Sequence, residues 1–176
     1  MSGHNKWSKI KHKKAATDAQ KSKIFSKHAR LIALESRKAG GDTSVPALRV
    51  AIDKAKRDNM PSDNIERAVA KGRTDTADQM EVVVYEAYGP GGAALIIAGL
   101  TDNRNRTSAE LKHLLSKQGG TLAEPGAASW AFTKTDEGWE PQATVPLSEP
   151  DQEKLGTLIE LLDDHDDVQD VYTNAE

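Results

Sequence analysis

The chain contains no cysteine, so disulfides, thiolate nucleophiles, iron-sulfur clusters and cysteine-ligated zinc are all excluded. Aromatic residues make up only 5% of it. No long hydrophobic run is present either: the longest, Gly91 to Leu100, is half the length of about 20 residues that a membrane span needs. The first twenty residues are studded with lysine and have no apolar core of the signal-peptide type. A soluble, cytoplasmic protein with no membrane partner is expected. Catalytic patterns are equally scarce. The histidines, His4, His12, His28, His113 and His165, pair with no serine in a strand-turn-helix context, and no phosphate-loop signature occurs. No catalytic residue, metal, cofactor or small-molecule substrate is therefore expected, and the chain reads as a non-enzyme.

What is present is charge, unevenly placed. The net charge of -3 comes from 24 Lys and Arg against 27 Asp and Glu. Residues 1–73 hold 18 basic and 7 acidic side chains, whereas residues 74–176 hold 6 basic and 20 acidic ones. Such asymmetry points to a polyanionic partner for the basic half. The excess is concentrated: Lys6, Lys9, Lys11, Lys13, Lys14, Lys21, Lys23, Lys27 and Arg30 face the single acid Asp18. Each phosphate neutralised by such a run steepens the log-log salt dependence of binding by roughly 0.7 to 0.9.

At 176 residues the chain forms one large domain or two small ones and can bury roughly 70% of its extended surface. Residues 1–16 lack periodicity and read as an arm that orders on a partner. A helix is expected from about Thr17, with Ile24, His28 and Leu31 beside Phe25, Ala29 and Ile32, ending at Gly40-Gly41. A second spans Pro46 to about Asn59, and a third opens at Ser62-Asp63 with a capping box of Asp63 and Glu66. After a polar connector, Val82–Tyr85 and Ala93–Ile97 read as strands joined through Tyr88, Gly89, Pro90, Gly91 and Gly92. Thr107 and Glu110 suggest a capping box opening a helix that closes at Gly119-Gly120. Strands are expected at Ala128–Phe132 and Thr144–Leu147 around a polar stretch at Asp136–Pro141. A helix from Ser148 or Asp151 and a strand at Val168–Tyr172 follow. The expected class is α+β: a basic helical domain at 1–75, then an acidic α+β domain at 79–176 whose mostly antiparallel sheet is covered by two helices.

Three short segments bear on chemistry. Gly89 to Gly92 resembles a phosphate cradle, but a tight turn between strands explains its glycines without a ligand. Asp163-Asp164-His165-Asp166-Asp167 is read as an acidic, solvated helix end, since it has neither the spacing nor the glycine of a calcium loop. Asn103, Arg104, Asn105 and Arg106 place two guanidiniums in a half with few cations. They suit phosphates and bases, and are equally explained as salt bridges of Arg104 and Arg106 with Asp102 or Glu110. Trp7, among lysines, suits either base stacking or anchoring of the arm.

The strings Gly3-His4-Asn5-Lys6-Trp7, Asn59-Met60-Pro61, YEAYGPGG at 85–92, TDNRNRT at 101–107 and Lys117-Gln118-Gly119-Gly120 occur here in the order of the YebC family, which the whole chain resembles. The resemblance implies a non-enzymatic regulator of gene expression. Bacterial members are commonly labelled transcriptional regulators that bind DNA. The mitochondrial relative is a translational activator, and the family is also linked to elongation through proline-rich stretches on the ribosome. Asn5 and Ala87 depart mildly from the family pattern. Family members also carry a third, inserted domain, and nearly all of it is absent here between about Thr135 and Pro141.

The favoured partner is ribosomal RNA, with tRNA as a further RNA partner, met by Lys6, Trp7, Lys9, Lys11, His12, Lys13, Lys14, Lys21, Lys23, Lys27, Arg30 and Asn103 to Arg106. The loop Tyr88 to Gly92 would serve as a second contact. Duplex DNA is the alternative, although no helix-turn-helix recognition helix is evident. A third reading is a protein-interaction module whose acidic half binds a basic partner.

Overall fold

A computed structural model describes residues 17–74 and 80–176. They form two compact units, one ending at Glu81 and the other beginning at Val82.

The first unit contains α1 (Asp18–Lys38), α2 (Pro46–Arg57) and α3 (Ser62–Arg73). Thr17 caps α1 reciprocally with Gln20: the Gln20 amide donates to Thr17 Oγ1 at 3.2 Å and the Thr17 amide to Gln20 Oε1 at 2.9 Å. The helix closes through left-handed Gly40 and Gly41, with the Gly41 amide reaching back to the Ser36 carbonyl at 2.8 Å. Pro46 occupies the first turn of α2, where its missing N–H leaves no helical bond unmade. The capping box expected of Asp63 and Glu66 does not form. Pro61 precedes α3 instead, without a side-chain cap. Ile32, Leu48, Ile52, Ala55, Ile65 and Val69 make the core, while Ile24, one of the residues whose spacing predicts α1, remains exposed. The helices α1 and α3 meet at Gly72, where an added Cβ would lie 2.3 Å from the Ala33 carbonyl oxygen. Fully buried Ser36 seals this crossing by donating from Oγ to the Val69 carbonyl at 2.7 Å.

The second unit contains β1 (Glu81–Tyr88), β2 (Ala94–Thr101), α4 (Arg104–Lys117), β3 (Thr121–Ala123), β4 (Phe132–Thr135), β5 (Gly138–Pro141), α5 (Glu149–Asp164) and β6 (Val168–Thr173). An antiparallel sheet runs β3-β1-β2-β6, and β4 and β5 form a separate hairpin. On one face Leu95, Ile97 and Val171 pack with Leu111, Leu115, Leu155, Leu158 and Leu162 of the two helices. On the other, Ala94, Ile96 and Tyr172 meet Ala128, Ala131 and Phe132. Both faces of β2 are thus covered, which accounts for its unbroken apolar sequence. The α+β class and the two covering helices match expectation.

The second unit differs locally from the sequence reading at four places. Ala128–Phe132 is a turn of 3-10 helix at Ser129–Ala131 followed by β4, and residues three apart, Ala128 and Ala131, are both buried in one cluster, which suits such a turn rather than the two-residue alternation of a strand. The polar stretch Asp136–Pro141 contains β5, whose Trp139 pairs with Lys134 and carries its ammonium 5.9 Å from the ring centroid. Thr144–Leu147 makes no strand, only a parallel bridge between Val145 and Ala175. There Asn174 takes over, accepting the Ala94 amide at 2.8 Å and donating to the Ala143 carbonyl at 2.9 Å. The fourth difference is β3, a three-residue strand too short to register as a pattern.

Candidate nucleic-acid interface

Lys6, Trp7, Lys9, Lys11, His12, Lys13 and Lys14 lie outside the described residues. Lys21, Lys23, Lys27 and Arg30 all belong to α1, with Lys21 exposed and the others half-buried. Lys21 and Phe25 stand one helical turn apart, as do Arg67 and Lys71 of α3. Side chains from both helices line an open groove of about 660 Å³, which brings Lys21, Arg30, Arg67 and Lys71 together with Asp18 as its one acid. Phe25 contributes to the apolar lining, being partly buried against the core. The Arg67 guanidinium is held along its own helix by the Asp63 carbonyl at 3.3 Å and by Asn64 Oδ1.

The segment Thr101 to Thr107 is mostly turned inward. Asn103, expected in a loop, is the N-cap of α4 and accepts the Arg106 amide at 3.1 Å, so Arg104, Asn105 and Arg106 are its first turn. Thr107, expected as the cap, is buried inside the helix, because Asn103 and Thr107 both have cap chemistry and the earlier one prevails. Its hydroxyl lies 2.8 Å from the Thr101 hydroxyl and 2.8 Å from Asp167 Oδ2. Arg106 Nη2 donates to the same Asp167 oxygen at 2.8 Å and to Asp102 at 3.0 Å. Burial acts to raise the Asp167 carboxyl, but hydrogen bonds from Arg106 and Thr107 and the Arg106 charge outweigh it and hold the group below the usual range. Asp167 in turn pushes the Arg106 guanidinium upward. The salt-bridge reading thus holds for Arg106, and the side chains of Arg104, Asn105 and Arg106 are all exposed to some degree at the start of α4. Asp167, expected in a solvated acidic run, is 4% exposed and ties the start of β6 to α4.

Residues 85–92 show the same economy. The Tyr85 hydroxyl donates to the Arg104 carbonyl at 3.0 Å. Glu86 accepts three amides, those of Gly126 at 2.7 Å, Ala128 at 2.7 Å and Ser129 at 2.8 Å. Burial works to raise its carboxyl, and the three amides together hold it lowered. Half-buried Tyr88 donates to the Ala127 carbonyl and accepts the Trp130 indole N–H at 3.1 Å. Gly89 and Pro90 are buried; only Gly91 and Gly92 of the expected contact loop are exposed. Gly91 has φ 70° and fits against Leu147, whose Cδ2 would lie 2.6 Å from an added Cβ.

Known proteins resemble the chain along its whole length. Residues 5–75 match the family model described as the TACO1/YebC protein N-terminal domain, and residues 80–137 and 133–175 match that of the TACO1/YebC second and third domain. The chain belongs to the TACO1/YebC family. A relative from Fervidobacterium nodosum, named a probable transcriptional regulatory protein, is 37% identical over 235 positions covering 99% of this chain and 93% of the relative. One of the same name from Halothermothrix orenii is 47% identical over 165 residues, 93% of this chain and 63% of the relative. Among solved structures, a conserved hypothetical protein of Aquifex aeolicus, Aq1575, is 33% identical with a TM-score of 0.80, covering 95% of each chain. The Fervidobacterium alignment exceeds the 176 residues here, so about sixty of its positions lack a counterpart in this TACO1/YebC chain. The two matched segments of the second model overlap at residues 133–137, which cover most of β4 and the turn into β5.

Two features of this TACO1/YebC fold lie beyond the reach of residue spacing. Arg67 and Lys71 join Lys21 only through the packing of α3 on α1, and nothing in the spacing signals it. Glu110, His165 and Asp167 each bring a ligand atom within 4.8 Å of the others. They are engaged, however: His165 Nε2 lies 2.7 Å from Glu110, and Arg106 already neutralises Asp167. Among the described residues no helix is long and apolar enough to cross a membrane.

Proposed function

We propose that this chain is a non-enzymatic, nucleic-acid-binding regulator of gene expression that works as a ribosome-associated translation factor. The observation that carries this reading is the run of nine cations from Lys6 to Arg30 against one acid, in a chain whose net charge is negative. Its described part continues along α1 toward the groove. Such a run supplies strong, salt-dependent and sequence-blind attraction to phosphates. Ribosomal RNA adds irregular shape and unpaired bases, which stacking and Arg contacts read without a recognition helix. Assistance to elongation through proline-rich stretches is what the family resemblance implies, and the site of action would be cytoplasmic.

The names of the relatives favour a second reading, a DNA-binding transcriptional regulator. Co-sedimentation with ribosomes across a salt series, beside a titration of duplex DNA, separates the two. Retention on ribosomes at salt that releases DNA is expected. Replacing Lys9, Lys11, Lys13 and Lys14 by Ala should abolish that retention and leave the melting curve unchanged. Ribosome binding that survives this replacement, or a promoter footprint outlasting it at physiological salt, would overturn the proposal.

A further inference from the structure

We propose that the groove between α1 and α3 is a seat for single-stranded nucleic acid, with a base against Phe25 and the adjoining phosphates on Lys21, Arg67 and Lys71. The inference rests on the nucleic-acid reading above and assigns it a place. Three properties of the groove select this occupant. Its charge is one-sided, four cations to one acid, which suits a polyanion and repels a basic peptide. Its lining includes an aromatic ring whose surface is only partly used by the core. A site for bare phosphate needs no such surface, whereas an unpaired base gains from stacking on it. Its volume of about 660 Å³ is open to solvent rather than enclosed, which admits one unit of a strand that continues beyond it. A duplex keeps its bases stacked inside and cannot present one to Phe25, so the groove discriminates strandedness rather than sequence.

The residues are also well placed to act together. Lys21 and Phe25 share a face of α1, and Arg67 and Lys71 share a face of α3, so both walls of the groove that Phe25 lines carry cations. The contacts from Asp63 and Asn64 hold Arg67 along α3, which lowers the ordering cost of a phosphate contact. The Ser36 bond and the close approach at Gly72 keep the two helices in register, so the groove is preformed.

The test uses the full chain, a fluorescein-labelled oligouridine and the corresponding oligouridine·oligoadenosine duplex, read by fluorescence anisotropy at physiological salt. Arg67→Glu with Lys71→Glu should weaken oligouridine binding about tenfold or more and lower its salt slope by about 1.4, two phosphates at roughly 0.7 each. Phe25→Leu, which keeps apolar volume beneath the groove, should weaken it about fivefold or more, as loss of one stacked base predicts. Duplex affinity should change less than about threefold in the charge-neutral Phe25→Leu, and a thermal melt confirms that each variant is folded. Oligouridine affinity that ignores both folded variants would refute the seat. So would a parallel loss of duplex affinity in Phe25→Leu, or displacement of oligouridine by oligoglutamate at equal concentration. If the parent chain binds neither RNA, the nucleic-acid reading itself fails; if it binds both and only the four arm lysines matter, that reading stands and the groove does not.

Discussion

Replacing Asp167 by Asn keeps the shape of the side chain and removes its charge. The carboxylate is 4% exposed and receives Arg106 and Thr107 on one oxygen, each at 2.8 Å. Hydrogen bonds involving a charged partner are worth about 1.5 to 3 kcal/mol. The Arg106 side chain is 43% exposed and rehydrates once released, so the loss stays below the roughly 3 to 5 kcal/mol of a fully buried pair. A destabilisation of about 2 kcal/mol is expected. In a unit of this size it should lower the melting temperature by about 8 to 16 °C. Scanning calorimetry at neutral pH measures it, with Arg106→Ala and the double variant completing a cycle whose coupling should be about 1 to 2 kcal/mol. The sign with pH is fixed as well. The carboxyl is lowered in the folded chain, so its contribution is full above the ordinary value of 3.8 and fades as pH falls through the folded value. Parent and variant should therefore converge in acid. A melting temperature within about 2 °C of the parent, or strict additivity with Arg106→Ala, would refute the lock.

Glu86→Gln should destabilise the α+β unit by about 1 to 3 kcal/mol, since an amide oxygen replaces a carboxylate that accepts three N–H groups. Its carboxyl is lowered from 4.5, so urea titrations from neutral pH downward should show a smaller acid loss in the variant than in the parent. Gly72→Ala gains about 1 kcal/mol of helix propensity. Its Cβ nevertheless meets the Ala33 carbonyl at 2.3 Å and Ser36 Cβ at 2.6 Å, and a net loss of about 1 to 3 kcal/mol should appear in the helical unit's melt. Unchanged stability would mean that the two helices separate at little cost.

Elements whose signals are local were legible in the sequence. Thr17, Pro46 and Ser148 each sit where their cap or first-turn chemistry places them. The leucines of α4 and α5 reach the core that their spacing predicts. Misreadings arose where two local signals competed or where the deciding partner was distant in sequence. Asn103 and Thr107 both suit a cap; Asp167, sixty residues away, recruits Thr107 into the interior. The hairpin at 132–141 carries Pro141 and a polar turn, and only the pairing of Trp139 with Lys134 makes it a strand. The groove was invisible for the same reason, since Arg67 and Lys71 counted only as composition until α3 lay against α1.

The hairpin has one more implication. Thr135 and Gly138 face each other across a two-residue turn, so the chain leaves and rejoins the second unit within about 5 Å. Anything spliced between them begins and ends at one point and transmits no strain to the four-stranded sheet. The two strand ends therefore offer a single point of entry and exit, the geometry that an inserted module requires if β6 and α5 are to keep their places. A relative with about sixty additional positions could carry them at such a point with no change to the sheet beneath.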